Sequence, residues 1–156
     1  MIIAVIGGDP APPEALVLAE QVGMHIALHR ATLVCGGRGG VMEAACKGAT
    51  DYGGETIGVL PDSDKAQMNP YVTIPIVTGI GRARNLIIAL TADAVIAVDG
   101  GYGTLTEIGF ALQHGKPVAG LGTWQLSATE TPEPPIYRAK DPVDAVRWAV
   151  DAAWKA

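Results

Sequence analysis

Residues 93–107 read Asp93-Ala94-Val95-Ile96-Ala97-Val98-Asp99-Gly100-Gly101-Tyr102-Gly103-Thr104-Leu105-Thr106-Glu107. Ala94 to Val98 is an apolar run of strand length that ends at a turn, so it predicts a buried strand. Gly100, Gly101 and Gly103 follow at once, and Thr104 opens a helical period. A strand that turns tightly into a helix leaves backbone amides pointing outward, and the helix dipole adds partial positive charge there. Such a turn holds an anion, most often a phosphate. Glycines permit unusual dihedrals and let a ligand approach the backbone closely. Glu107 falls one turn into the helix, within reach of whatever the turn holds.

The same alternation runs along the whole chain. Strand-like runs cover Ile2–Ile6, Thr32–Cys35, Thr56–Leu60, Val72–Val77, Ala94–Val98 and Val118–Leu121, with a short edge strand at Ile136–Arg138. They are continuously apolar, as expected where both faces of a parallel sheet are covered. Helical periods lie between them, at about Pro13–Leu28, Val41–Tyr52, Arg82–Thr91 and Thr104–His114. Gly53 and Gly54 are stop signals for the second. A last helix starts with Asp141 as N-cap and Pro142 in its first turn. Strand–helix alternation with right-handed crossovers predicts an α/β fold: a Rossmann-like, doubly wound parallel sheet in a single domain. Segments 61–70 and 122–135 read as irregular, the first as a ligand-side loop or lid and the second as a surface excursion.

Composition narrows the functional classes. The chain has 156 residues, 49% hydrophobic and 17% charged, with a net charge of −5. It has no basic stripe, which argues against a nucleic-acid partner. No apolar run approaches the ~20 residues of a membrane span, and Met1-Ile2-Ile3-Ala4-Val5 lacks a signal peptide's basic start. Cys35 and Cys46 fall in a strand and a helix, which predicts buried thiols in a reducing cytoplasm. The histidines make no metal-ligand spacing with them, so no metal is expected.

Four glycine-bearing loops leave the carboxyl ends of strands, where open α/β sheets bind ligands. They are Gly7-Gly8-Asp9-Pro10, Gly36-Gly37-Arg38-Gly39-Gly40, Gly79 to Asn85, and Asp99 to Thr104. None completes a dinucleotide fingerprint or a P-loop: Met42 and Thr106 stand where a third glycine belongs, and Gly115-Lys116 runs into Pro117. Candidate ligand-binding positions are therefore Gly7, Gly8, Gly36, Gly37, Gly39, Gly100, Gly101, Tyr102, Gly103 and Thr104.

Several residues fit two roles on sequence alone. Thr104-Leu105-Thr106-Glu107 matches a capping box, which would spend both polar side chains on the helix itself. Asp9 suits either a ligand hydroxyl or the cap of the first helix. Arg38 fits a phosphate contact or an exposed loop, and Tyr102 a stacking surface or an exposed turn. Arg82 and Arg84, two apart on a presumed helix, do not share a face, so one at most is expected in the crevice.

Gly100-Gly101-Tyr102-Gly103-Thr104-Leu105-Thr106-Glu107 resembles the Pro-Gly-Gly-x-Gly-Thr-x-x-Glu motif of the "Lonely Guy" phosphoribohydrolases, long misassigned as lysine decarboxylases. Val34 to Met42 is similar to the family's earlier glycine-rich segment, and the resemblance extends over nearly the whole chain. It implies cleavage of the N-glycosidic bond of nucleoside 5′-monophosphates. The catalytic pair it implies is Arg84 and Glu107, with no cofactor or metal required. A carboxylate can stabilise an oxocarbenium-like state or orient water, and an arginine can grip phosphate or ribose oxygens. Two positions depart from the family: Asp99 replaces its proline and Asn85 its lysine. Arg84-Asn85 and the short chain look more like the branch that includes molybdenum-cofactor carrier proteins. That branch implies a phosphorylated pterin as cargo without catalysis. Either way the expected partner is a small phosphorylated ligand, and the resemblance implies a homodimer or homotetramer.

Overall fold

Seven strands form one parallel sheet in a computed structural model that describes residues 1–127 and 135–155. The strands are β1 (Ile2–Gly7), β2 (Thr32–Cys35), β3 (Thr56–Leu60), β4 (Ile74–Val77), β5 (Ala94–Val98), β6 (Val118–Leu121) and β7 (Tyr137–Arg138). The helices are α1 (Pro13–Leu28), α2 (Val41–Asp51), α3 (Arg84–Thr91), α4 (Tyr102–Gln113) and α5 (Pro142–Ala153). The doubly wound Rossmann-like fold expected from the alternation is the one observed.

The strand order is β4-β3-β2-β1-β5-β6-β7. The chain winds outward from β1 to β4, then returns to the other side of β1 as β5. Gly7 pairs with Val98, so these two strands end side by side. Their diverging turns open a crevice at this switch point, where doubly wound sheets place ligands.

Alternation along β1 explains why the strands read as unbroken apolar runs. Ile3 and Val5 enter one core with Ala19, Val22 and Ile26 of α1, Ala45 of α2 and Val146 of α5. Ala4 and Ile6 enter a second core with Ile88 of α3 and Ile108 and Ala111 of α4. The central strands β1 and β5 feed two layers with period two, so polar positions have no place in them. On the first layer α1 and α2 touch backbone to backbone. A Cβ at Gly48 would run into the carbonyl oxygen of Glu20, so only glycine allows this approach.

Several boundaries differ from the sequence expectation. β4 starts at Ile74, and Val72 is buried just before it. Gly81–Ala83 forms a 3-10 turn, so α3 begins at Arg84. Asp9 does not cap α1, whose N-cap position is Pro12 with no side-chain hydrogen bond. Asp141 does cap α5, its carboxylate accepting from the Asp144 amide at 2.8 Å. Half of the expected 122–135 excursion, residues 128–134 with Pro132 and Pro134, lies outside the described residues. Among the described residues no helix is long and apolar enough to cross a membrane.

Candidate functional site

The turn after β5 is more contorted than its glycines require. Asp99 itself sits at φ +51, in the left-handed region, and Gly100 follows at φ +108. Asp99 is held there from both sides: its amide donates to the Leu121 carbonyl at 3.0 Å, and its carbonyl accepts from Thr123 Oγ1 at 2.6 Å. The double bend aims the chain so that α4 starts at Tyr102, with Gly101 as N-cap and no side-chain cap. The capping-box alternative is thereby overturned. Thr104 is already the third residue of α4, so its hydroxyl is not an N-cap, and Glu107 is free of that role. The first amides of α4 keep no intrahelical partner, and Gly103 and Thr104 border the crevice.

Glu107 turns inward from α4 toward Arg84 at the start of α3. Arg84 Nη1 lies 3.8 Å from Glu107 Oε1, and each side chain is 11% exposed. Arg84 also donates from Nη1 to Asn85 Oδ1, while its Nε is buried without a hydrogen-bond partner among the described residues. The guanidinium rests on Gly36, where a Cβ would collide with it. Burial raises the Glu107 carboxyl to about 7, against the opposing pull of Arg84. The same burial lowers Arg84 from its ordinary value, with Glu107 pulling it back up. A carboxyl poised between its two forms near neutrality, beside a buried guanidinium, is suited to accept or donate a proton or to pair with a ligand hydroxyl.

The crevice around this pair measures about 570 Å³. Gly7, Gly8, Gly101, Gly103 and Thr104 line it together with Arg84 and Glu107. Gly36, Gly37, Gly39 and Gly100 are not on its surface; they shape the turns behind it. Tyr102 lies outside the lining as well. Its ring is 81% exposed and tilts against Trp124 at 5.7 Å between centroids, while Trp124 Nε1 donates to Gly101 O at 3.1 Å.

Arg82 and Arg84 both line the crevice, contrary to the helical-spacing expectation. The spacing rule fails because Arg82 belongs to the 3-10 turn ahead of α3 and not to the helix. Asp9, Arg38, Met42, Asp62 and Asn85 also line the crevice. Asp62 carries no local sequence signal beyond its place in the irregular 61–70 segment. It pairs with Arg38 at 2.5 Å, which draws the segment after β3 against the glycine loop after β2. Asn69 fastens the same contact, donating from Nδ2 to Arg38 O and from its amide to Gly37 O, both at 2.9 Å. The crevice thus holds three arginines, Arg38, Arg82 and Arg84. Among the described residues Arg82 makes no ion pair. No cluster of three or more His, Cys, Asp or Glu side chains that would hold a metal occurs among the described residues.

The fold matches solved structures over nearly the full length of the chain. The molybdenum cofactor binding protein from the phototrophic bacterium Rippkaea orientalis superposes with a TM-score of 0.87 at 38% identity, covering 96% of this chain and 95% of that one. The Moco carrier protein from Chlamydomonas reinhardtii gives 0.84 at 38% identity, covering 99% and 98%. A cytokinin riboside 5′-monophosphate phosphoribohydrolase of Mycobacterium tuberculosis is 34% identical over 132 residues, 74% of this chain and 67% of the relative. The glycine loops, Arg84 and Glu107 all fall inside residues 1–146, the span matched by the model of the SLOG cluster4 family, and the chain belongs to that family.

Proposed function

We propose that this protein binds a phosphorylated pterin of the molybdenum-cofactor type in the crevice between β1 and β5 and serves as its carrier. The observation that carries this reading is the turn at Asp99. Proline is fixed near φ −65°, so the Pro-Gly-Gly turn of the phosphoribohydrolase motif cannot adopt the φ of +51 found here. The turn that would cradle an anion in this chain therefore has a backbone that a Pro-Gly-Gly turn cannot share. The nearly full-length likeness to two molybdenum-cofactor proteins supports the same direction.

In this reading the ligand phosphate sits at the first amides of α4, with Arg82 as its side-chain counterion. Arg84 and Glu107 then face the remainder of the ligand as a donor and a proton-adjustable acceptor. The molybdenum centre is cargo.

The Arg84–Glu107 pair favours a second reading, hydrolysis of a nucleoside 5′-monophosphate. A carboxylate beside the ribose would stabilise an oxocarbenium-like state, and Arg84 would hold ribose or phosphate oxygens. Two assays separate the readings. Purification from a host that makes the cofactor, followed by oxidation and pterin fluorescence, tests for cargo. Incubation with AMP, against Glu107→Ala, tests for release of free base. Pterin at near-stoichiometric level without base release fits the carrier. Base release that Glu107→Ala abolishes fits the hydrolase.

A further inference from the structure

The loop that backs the crevice is bracketed by two sulfurs. Cys35 is the last residue of β2, Cys46 lies in the second turn of α2, and Gly36 to Gly40 runs between the two elements. Their Sγ atoms are 3.4 Å apart, and both residues are wholly buried as free thiols. The Gly37 amide donates to Cys35 Sγ at 3.3 Å, so one of the sulfurs also anchors the loop directly.

Two cysteines packed only as small apolar groups would have apolar neighbours. Cys46 has polar ones. Its hydrogen bond with Cys35 holds its thiol below the ordinary value, against the opposing effect of burial. Thr56 and Asn69, which also pull it down, are themselves buried. Cys35 is pushed the opposite way, first by its hydrogen bond with Cys46 and then by burial. The two sulfurs thus differ in character. The directions make Cys46 the sulfur that gives up its proton first.

We propose that Cys35 and Cys46 are a reversible modification site, a dithiol that a hydroperoxide converts to a disulfide, and that this closure resets the 36–40 loop. In the first step the Cys46 thiolate attacks one peroxide oxygen. The S–O bond forms, the O–O bond breaks, and the leaving oxygen departs as water (or an alcohol) with a proton. In the second step Cys35 sulfur attacks Cys46 sulfur, the S–O bond breaks, and a water leaves with the Cys35 proton. The thiols lose two electrons and the peroxide gains them. A small dithiol returns both protons and electrons.

Closure draws the sulfurs from 3.4 Å to a bond of about 2 Å. Rotation of the two side chains and a shift of the second turn of α2 toward the end of β2 together supply that difference. The strand is locked by its ladder, with Val34 paired to Ala4 and Cys35 to Gly58. The glycine loop between the sulfurs is the compliant part. Gly37 also loses a thiol acceptor, and Gly36 moves beneath Arg84.

The test treats reduced protein with hydrogen peroxide and reads intact mass, a non-reducing peptide map and amide hydrogen exchange. The expected result is loss of two hydrogens, a Cys35–Cys46 link, severalfold faster exchange across residues 36–40, and reversal by dithiothreitol. Cys35→Ser should stop at a sulfenic acid on Cys46 that dimedone traps. The wild-type measurement stands even where that variant fails to fold. Thiols recovered unmodified, sulfinic acid without a link, or a link that leaves loop exchange unchanged would each overturn the proposal.

Discussion

Arg84 Nη1 and Glu107 Oε1 meet at 3.8 Å across two helices on the same side of the sheet, and burial, more than their attraction, sets the charge state of the acid. Glu107 titrates at about 7 in the folded protein and near 4.5 when unfolded. The folded state therefore holds more protons between those values, so stability falls as pH rises from about 4.5 to 7. Below that window both states are protonated and the contribution is complete. Above it about 3 kcal/mol has been lost. Urea titrations across this range should show the decline in wild type and its absence in Glu107→Gln. An equal slope in both proteins would show that another group is responsible.

Asp99→Pro and Asp99→Asn should part company. Proline cannot reach φ +51, and it removes the amide that donates to Leu121. The expected loss is at least about 3 kcal/mol, read as a lower denaturation midpoint. Asparagine tolerates left-handed backbone and keeps the amide, so Asp99→Asn should melt within about 1 kcal/mol of wild type. A stable Asp99→Pro variant would mean that the turn can adopt the hydrolase conformation after all.

Gly48→Ala and Gly109→Ala test the same substitution in two environments. Alanine gains up to about 1 kcal/mol over glycine in a helix interior. At Gly109 a Cβ meets nothing, so the variant should be more stable by roughly that amount. At Gly48 the Cβ meets the Glu20 carbonyl, which is backbone and cannot turn away. Forcing α1 and α2 apart costs about 1–3 kcal/mol, which outweighs the propensity gain. Thermal melts should therefore move in opposite directions.

Arg82→Gln should separate binding from stability. Arg82 lines the crevice, is exposed, and makes no ion pair among the described residues. Its replacement should leave the melting temperature nearly unchanged. Affinity for inorganic phosphate or AMP, measured by calorimetry, should fall about tenfold, the worth of one charged hydrogen bond. Undiminished affinity would place the phosphate away from this loop.

What could be read from the residues follows from how local each signal is. The spans of α1, β2, β3 and β5 and the Asp141 cap are readable because apolar runs end at glycine, proline or charged residues. The start of α4 is not. Threonine and glutamate three apart satisfy the capping pattern, but Gly101 and Gly103 let the helix begin at Tyr102, and glycine carries no propensity that marks such a start. In the site, Arg84 and Glu107 are 23 positions apart in sequence. Only the motif resemblance joins them, since no periodicity spans two elements. The Arg38–Asp62 pair and the Asn69 fastening are long-range contacts between irregular segments, where neither composition nor spacing carries information. Arg82 joins Arg84 in the crevice because it lies in a 3-10 turn, where the helical rule that allows only one of them does not apply.

The hydrogen bond from Trp124 to Gly101 gives the molecule an optical reporter. Of the three tryptophans, Trp148 is stacked on Tyr137 at 4.6 Å and Trp154 is 79% exposed near the end of the chain. Among the described residues only Trp124 has its indole fastened to Gly101, the N-cap of α4. An anion arriving at those amides changes the field at that ring and leaves the other two untouched. Emission from Trp124, isolated by replacing Trp148 and Trp154 with phenylalanine, therefore offers a label-free titration of the crevice in which each spectrum counts occupied molecules.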